Sequence, residues 1–540
     1  MLEATLTEPA GLVGPRSPVA THTASRRAHW ALLLGVTIVG LLLRLYEFRG
    51  FGAVDDAAYA QIAHQMAQGT FHAGTYEGPA VFPLRVGMIY PTAILFRFFG
   101  VSEWTMVAFP FILSLLSILL AYAATKHFFG ARAGLIAAAI WTLLPLDAFH
   151  AGILEPDLAG AFFQSLGILG IVVAIERHRS RLQSSLLVGL GLGALFGISW
   201  LCKESVAYAA PFCAFLMFRT LRTDWKRHAP LWAGVAVGSI AVLVLEMAVY
   251  HGATGDWLFH FHETERNYHQ YQNAFFVSGS SLTSPNQHSY AAAVVRRLVL
   301  DGPATIFLRS QFMHLPLLAA IVCLHALYWR DRAYLIPALW FASLAFMFNF
   351  ASSSLSSYTP LILFERYLYP VMLPAAILVA GFLATLFFDV APQRNPGVRR
   401  ERAFWGGLLV AGLFLVAVEK NYANRKFSPG WVSETKALSR SLRPADRVYT
   451  DILSIHGLEF FWGYPHGMNL VNFEDMDVRS PMRAGDYVLV NATYVNWLTN
   501  MAGWWPTERA TYTKPAFADR PPTTWETVWK SGNATLYRVR

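Results

Sequence analysis

The run Trp30-Ala-Leu-Leu-Leu-Gly-Val-Thr-Ile-Val-Gly-Leu-Leu-Leu-Arg44-Leu45 is followed shortly by Gly52-Ala-Val-Asp55-Asp56-Ala-Ala-Tyr59-Ala-Gln-Ile-Ala63. The first stretch is long and apolar enough to begin a membrane span. No small-residue cleavage site follows it, so it reads as an uncleaved signal anchor. It delivers two adjacent carboxylates to the far membrane face. An acidic pair at that place is better suited to acting on a substrate than to stabilising a fold.

The pattern repeats along the chain. Of 540 residues, 55% are hydrophobic and 14% charged, against roughly 45–50% and 25% in soluble domains. The expectation is an all-α polytopic membrane domain of about eleven spans. They lie near residues 30–47, 105–125, 133–150, 158–175, 184–201, 205–218, 230–250, 310–328, 333–350, 367–388 and 403–419. The formal charge of +9 gathers in short loops between spans, such as Arg177, Arg179 and Arg181, or Arg219, Arg222, Lys226 and Arg227. It therefore reports topology, with basic loops cytoplasmic, and no nucleic acid partner is implied. Every second loop is basic, which puts the N-terminus in the cytoplasm and the C-terminus outside.

Three domains follow. Residues 1–29 form a cytoplasmic tail, 30–419 the transmembrane unit, and 420–540 a small extracytoplasmic α/β domain. Within the last, Arg447-Val-Tyr-Thr and Tyr487-Val-Leu-Val-Asn read as strands. In the long first external loop, Tyr59, Ile62, Ala63 and Met66 recur at helical spacing, which predicts a helix along the membrane surface; a second covers Ile89–Phe99. Cys202, Cys213 and Cys323 lie in or beside apolar spans and imply no disulfide framework.

Ionisable residues in external loops are the candidates for chemistry. Repulsion within the pair Asp55 and Asp56 raises one carboxyl toward the range of a general base; either could instead cap a helix starting at Ala57. Glu155-Pro156-Asp157 falls in a tight loop on the same side. Lys203-Glu204 interrupts two apolar spans there, and a lone external lysine suits either an ion pair or a phosphate. Arg85 and Arg366 can fork onto phosphate oxygens or reach for headgroups, whereas Arg44 and Arg49 read as snorkelling residues that end the first span. His260 and His262, with Glu263, form a His-x-His unit of metal-ligand spacing that no second cluster supports. Asn491-Ala-Thr and Asn533-Ala-Thr match glycosylation sequons, and Trp497, Trp504 and Trp505 could stack on sugars or pack a core. Acids beside a phosphate-sized basic cluster suggest a lipid phosphate meeting a hydroxyl acceptor.

Over about residues 30–390 this pattern resembles the integral-membrane GT-C glycosyltransferases of the protein O-mannosyltransferase and aminoarabinose-transferase type. The resemblance rests on Asp55-Asp56-Ala-Ala-Tyr59, Phe99-Gly-Val-Ser-Glu103, Glu155-Pro-Asp157, Gly191-Leu-Gly193 before Lys203-Glu204, and Arg366-Tyr-Leu-Tyr-Pro370, in that order. It implies transfer of a sugar from a polyprenyl-phosphate donor to an acceptor hydroxyl of a glycan, lipid or protein, at the extracytoplasmic face of the plasma membrane and with inversion. It makes Asp55 the base, with Asp56 where the family usually has Glu, and Asp157 a further catalytic carboxylate. It places Lys203, Arg366 and Arg85 at the donor phosphate. Beside that resemblance, Tyr59, Glu155, Glu204, His260 and His262 are candidate substrate contacts. A monophosphate leaving group held by fixed cations implies no metal and no cofactor beyond the lipid-linked donor. The rival readings are a transporter or flippase for lipid-linked sugars and a non-catalytic subunit of a glycan-assembly complex.

Overall fold

The computed structural model describes residues 23–52, 54–75, 80–177, 182–267, 290–354, 358–361, 363–388, 396–426, 430–473, 482–492, 517 and 520–540. Most of the N-terminal tail, Arg179, Arg181, Thr493 and the three tail tryptophans lie outside them.

Helix α1 (Thr23–Tyr46) leads into α2 (Val54–Gln68) and α3 (Val86–Phe99). There follow α4 (Glu103–Phe129), α5 (Ala131–Leu143), α6 (Pro145–His150), α7 (Pro156–Arg177), α8 (Leu182–Cys202) and α9 (Ala210–Thr254). The chain is helical again over residues 259–267 (α10), then in α11 (Tyr290–Arg296), α12 (Gly302–Leu308), α13 (Leu315–Trp329), α14 (Leu335–Phe350), α15 (Tyr369–Phe388) and α16 (Pro396–Lys426). Among the described residues, eight helices are long and apolar enough to cross a membrane.

The difference from eleven has local causes. The stretch expected as one span over 133–150 breaks at Leu144, whose ψ of 112° is set by the proline that follows. The 13 residues of α5 reach only about 20 Å, short of a hydrocarbon core of about 30 Å. Carbonyls freed by the break find partners. Asn421 donates to Leu143 O at 3.1 Å, and Arg44 donates to Thr142 O at 3.3 Å. Arg44 therefore does not snorkel: it is fully buried, paired with Asp147 and bonded to Ser114. The sixth and seventh stretches share the label α9 but are two helical segments that fold back at Asp224 (φ −155°, ψ 87°), so that Trp232 Nε1 donates to Thr220 Oγ1 at 2.9 Å across the turn. The eighth shortens because Met313 and His314 both take positive φ before α13 begins.

Helices α8 and α9 pack backbone to backbone. A Cβ on Gly193 would sit 2.1 Å from Val235 O, and one on Gly189 2.2 Å from Leu231 O. Gly234 and Gly238 return the contact from α9. Small residues every fourth position are how helices approach closely where lipid removes the hydrophobic drive. This seam ends at Lys203.

The α/β unit holds α17 (Gly430–Leu438), β1 (Arg447–Thr450), α18 (Ile452–Trp462), β2 (Asn469–Asn472), β3 (Tyr487–Asn491), β4 (Trp525–Ser531) and β5 (Ala534–Val539). The strand order is β2-β1-β3-β5-β4. The first three strands are parallel, and β5 and β4 are antiparallel additions. Both strands expected from sequence are present. The surface of α2 expected to face the membrane is instead covered by protein. Tyr59, Ile62 and Ala63 are buried in a cluster with Met88 and Ile89 of α3 and Phe460 of α18. Phe460 stacks on Phe51 with centroids 4.6 Å apart.

Candidate active site at the loop end of the bundle

The loop ends of α1, α6, α7, α8 and α15 converge. Gly50 N donates to Gly152 O at 3.1 Å, tying the entry to α2 onto the loop before α7. Val54 opens α2, so both acids lie in its first turn rather than before it. Asp56 is fully buried and accepts from Gly52 N at 2.9 Å. Asp55 is partly exposed and accepts from Arg366 Nη2 at 2.6 Å.

Arg366 is the hub. Its other Nη donates to Glu155, and its Nε lies 3.7 Å from Asp157 Oδ2. Pro156 starts α7, a position where its missing N–H costs nothing; Glu155 and Asp157 therefore flank a helix start and face the same cation. Lys203 pairs with Asp157, and its Nζ lies 3.5 Å over the Tyr367 ring. Burial lowers the Lys203 amine to about 8, against the pull of Asp157. Glu155 is held well below the usual carboxylate range by Arg366 and His150, which outweigh its burial.

A second layer stands beside this one. Arg85 Nη1 meets Glu204 Oε1 at 2.5 Å. His260 donates or accepts at both ring nitrogens, 3.1 Å from Glu204 Oε1 and 2.7 Å from Glu246 Oε1. Its flanking carboxylates raise the His260 imidazole despite burial. Tyr59 is buried, and burial together with Asp55 pushes its phenol up.

The structure thus brings together Asp55, Glu155, Asp157, Lys203 and Arg366, with Arg85, Glu204 and His260 adjoining. It separates His262, which is exposed and bonds Asp256 at 2.7 Å; the His-x-His unit is divided between two environments. Sequence reasoning passed over His150, whose Nδ1 lies 2.5 Å from Glu155 Oε2, and Glu246, buried in α9. Their signals were only an acid five residues from a histidine and a carboxylate inside an apolar span.

Taking isolated charges out of water costs several kcal/mol per ion. So many charges gathered at one bundle end are a poor way to stabilise a fold, and a good way to meet a charged ligand.

A family model described as dolichyl-phosphate-mannose-protein mannosyltransferase matches residues 86–247. No curated protein sequence matches the chain. Among solved structures, ArnT from Cupriavidus metallidurans bound to undecaprenyl phosphate is similar, at 15% identity and a TM-score of 0.56, over 96% of this chain and 98% of that one. The oligosaccharyltransferase of Archaeoglobus fulgidus in its apo form is similar at 14% identity and a TM-score of 0.56, over 89% of this chain and 72% of that one. The same organism's AglB, in complex with an inhibitory peptide and a dolichol-phosphate, gives 14% identity and a TM-score of 0.55, over 89% and 72%. The chain has the GT-C fold.

Proposed function

We propose that the chain transfers a sugar from a polyprenyl monophosphate to an acceptor hydroxyl at the extracytoplasmic membrane face. The observation that carries this reading is Arg366, which joins the partly exposed Asp55 to the Glu155–Asp157–Lys203 cluster. One cation then stands between the acid that would take a proton and the amine that would hold a phosphate. Solved structures of similar fold that contain undecaprenyl phosphate or dolichol-phosphate support the donor class.

In the proposed step the acceptor oxygen attacks C1 of the donor sugar and Asp55 takes its proton. The C1–O bond to phosphate breaks, and its electron pair stays on the phosphate oxygen. The single displacement inverts C1. Lys203 and Arg366 face the charge that grows on the leaving phosphate; in the free protein Asp157, Glu155 and Asp55 hold them in place. Arg85 lies behind Glu204 and orders that layer. Asp56, fixed by Gly52, sets the first turn of α2 and so the direction of Asp55. The N-terminus is cytoplasmic in this reading, and the α/β unit is outside.

The test is mass spectrometry of membranes with and without the protein, followed by transfer from the accumulated lipid in nanodiscs. A polyprenyl-phosphate sugar should accumulate in its absence and be consumed, with inversion, in its presence. Retention of the donor's anomeric configuration, or near-normal turnover by Asp55→Asn, overturns the mechanism.

A further inference from the structure

A cavity of about 310 Å³ is lined by His150, the partner of Glu155. That is the lower end of ligand-pocket sizes, about 300–1,000 Å³, and leaves room for one sugar ring with its waters. Its polar lining comes from four elements: His150 of α6, Gln311 before α13, Glu365 before α15 and Asn424 of α16. No lysine or arginine lines it.

The wall is built rather than incidental. Gln311 Nε2 donates to Asn424 Oδ1 at 2.9 Å, Asn424 Nδ2 returns a bond to Gln311 Oε1 at 3.3 Å, and Asn424 is buried. The two amides thus fix each other's orientation; Asn424 Nδ2 also reaches Pro145 O at 3.5 Å, so the capacity left for a ligand lies on Gln311. Burial pushes the Glu47 carboxyl, which bonds Asn424, up to about 8 against the pull of Arg49 and Arg44. Glu365 is matched by Arg309 at 3.6 Å. Phe149 and Leu146 supply an apolar floor. Amides, a carboxylate and an imidazole over an aromatic floor, with no lysine or arginine in the lining, suit a polyol better than a phosphate.

We propose that this cavity binds a neutral sugar ring of the acceptor, one residue removed from the hydroxyl that reacts. The inference rests on the transfer reading above and adds the acceptor class: a glycan or glycolipid rather than a bare peptide side chain. The cavity is assigned to the acceptor because the donor phosphate lies at Lys203 and Arg366, and the pairs Arg366–Glu155 and Glu155–His150 stand between it and the cavity. His150 joins the two regions: Nδ1 faces Glu155 and the ring lines the cavity. A ring bound there would steady the carboxylate that holds Arg366.

The experiment is saturation-transfer NMR on the whole protein in nanodiscs, with millimolar methyl glycosides of mannose, glucose, galactose and arabinose and with glycerol as control. At least one glycoside should receive saturation where glycerol does not. Filling the cavity through exposed Ala423 (Ala423→Phe) should weaken that binding about tenfold or more, as should Gln311→Leu, which removes the amide. Thermal unfolding of Ala423→Phe should match the parent. Added undecaprenyl phosphate should leave the signal in place. No saturation from any glycoside, a signal indifferent to both substitutions, or displacement by undecaprenyl phosphate overturns the assignment. Glycoside binding without any transfer leaves the cavity standing and removes the transfer reading; transfer without glycoside binding does the reverse.

Discussion

Asp55 and Arg366, 311 positions apart in the chain, share a hydrogen bond of 2.6 Å. The bond closes the charged cluster across the bundle, and it separates Asp55 from its neighbour: Asp55 faces the cluster while Asp56 is buried against Gly52.

The two acids should fail differently. Asp55→Asn is expected to lower the transfer rate by about 10²–10⁴, the contribution of a positioned base, with unchanged insertion and unfolding temperature. Asp56→Asn should lower thermal stability first, because its buried oxygen fixes the start of α2. Paired turnover and melting measurements on the two variants check this; equal behaviour in both readouts counts against the division.

With Lys203 at the donor phosphate, as proposed, donor binding should depend on pH. The amine titrates near 8 in the folded protein, lowered by burial, so its charge is lost as pH rises through that value. KM for the lipid donor should climb above pH 8. In Lys203→Arg, which stays charged, the rise should vanish. Stability moves in the opposite sense: between the folded value and the ordinary lysine value the unfolded chain binds more protons, so this group's contribution to stability increases with pH. A donor KM that is flat through pH 9 in the parent protein would remove Lys203 from the phosphate site.

Gly193 and Gly191 offer a matched pair. A side chain on Gly193 meets Val235 O, whereas Gly191 has nothing within 4 Å. Gly193→Leu should collapse the monodisperse peak in detergent size-exclusion chromatography, and Gly191→Ala should leave it intact.

The acid pair, the cation at Arg366, the lysine between two spans and two strands of the tail were legible because each carries a local signal: charge where apolar runs stop, or alternation. Two other features were not. The fate of Arg44 depends on Asp147 and on carbonyls left open by Pro145, a relationship between distant segments. The ends of spans were misplaced where a proline or a pair of left-handed residues stops a helix inside an apolar run, since hydropathy does not register backbone geometry. His150 and Glu246 acquire meaning only through partners supplied by folding.

The tail contact should be measurable as order in α2. Phe460 is buried and stacks on Phe51, and Phe→Ala in such a site costs about 3–5 kcal/mol. Phe460→Ala should speed amide exchange in residues 54–68 while leaving α7 and α15 protected. Unchanged exchange in α2 would show that the tail does not brace it.

Because α18 covers a helix made near the start of the chain, the order of synthesis matters. The ribosome delivers Asp55 long before Phe460, and in between the spans enter the membrane. A nascent chain therefore carries its acids for most of its elongation on a helix without its brace. The packing of α2 seen here forms only after α18 has been made and folded.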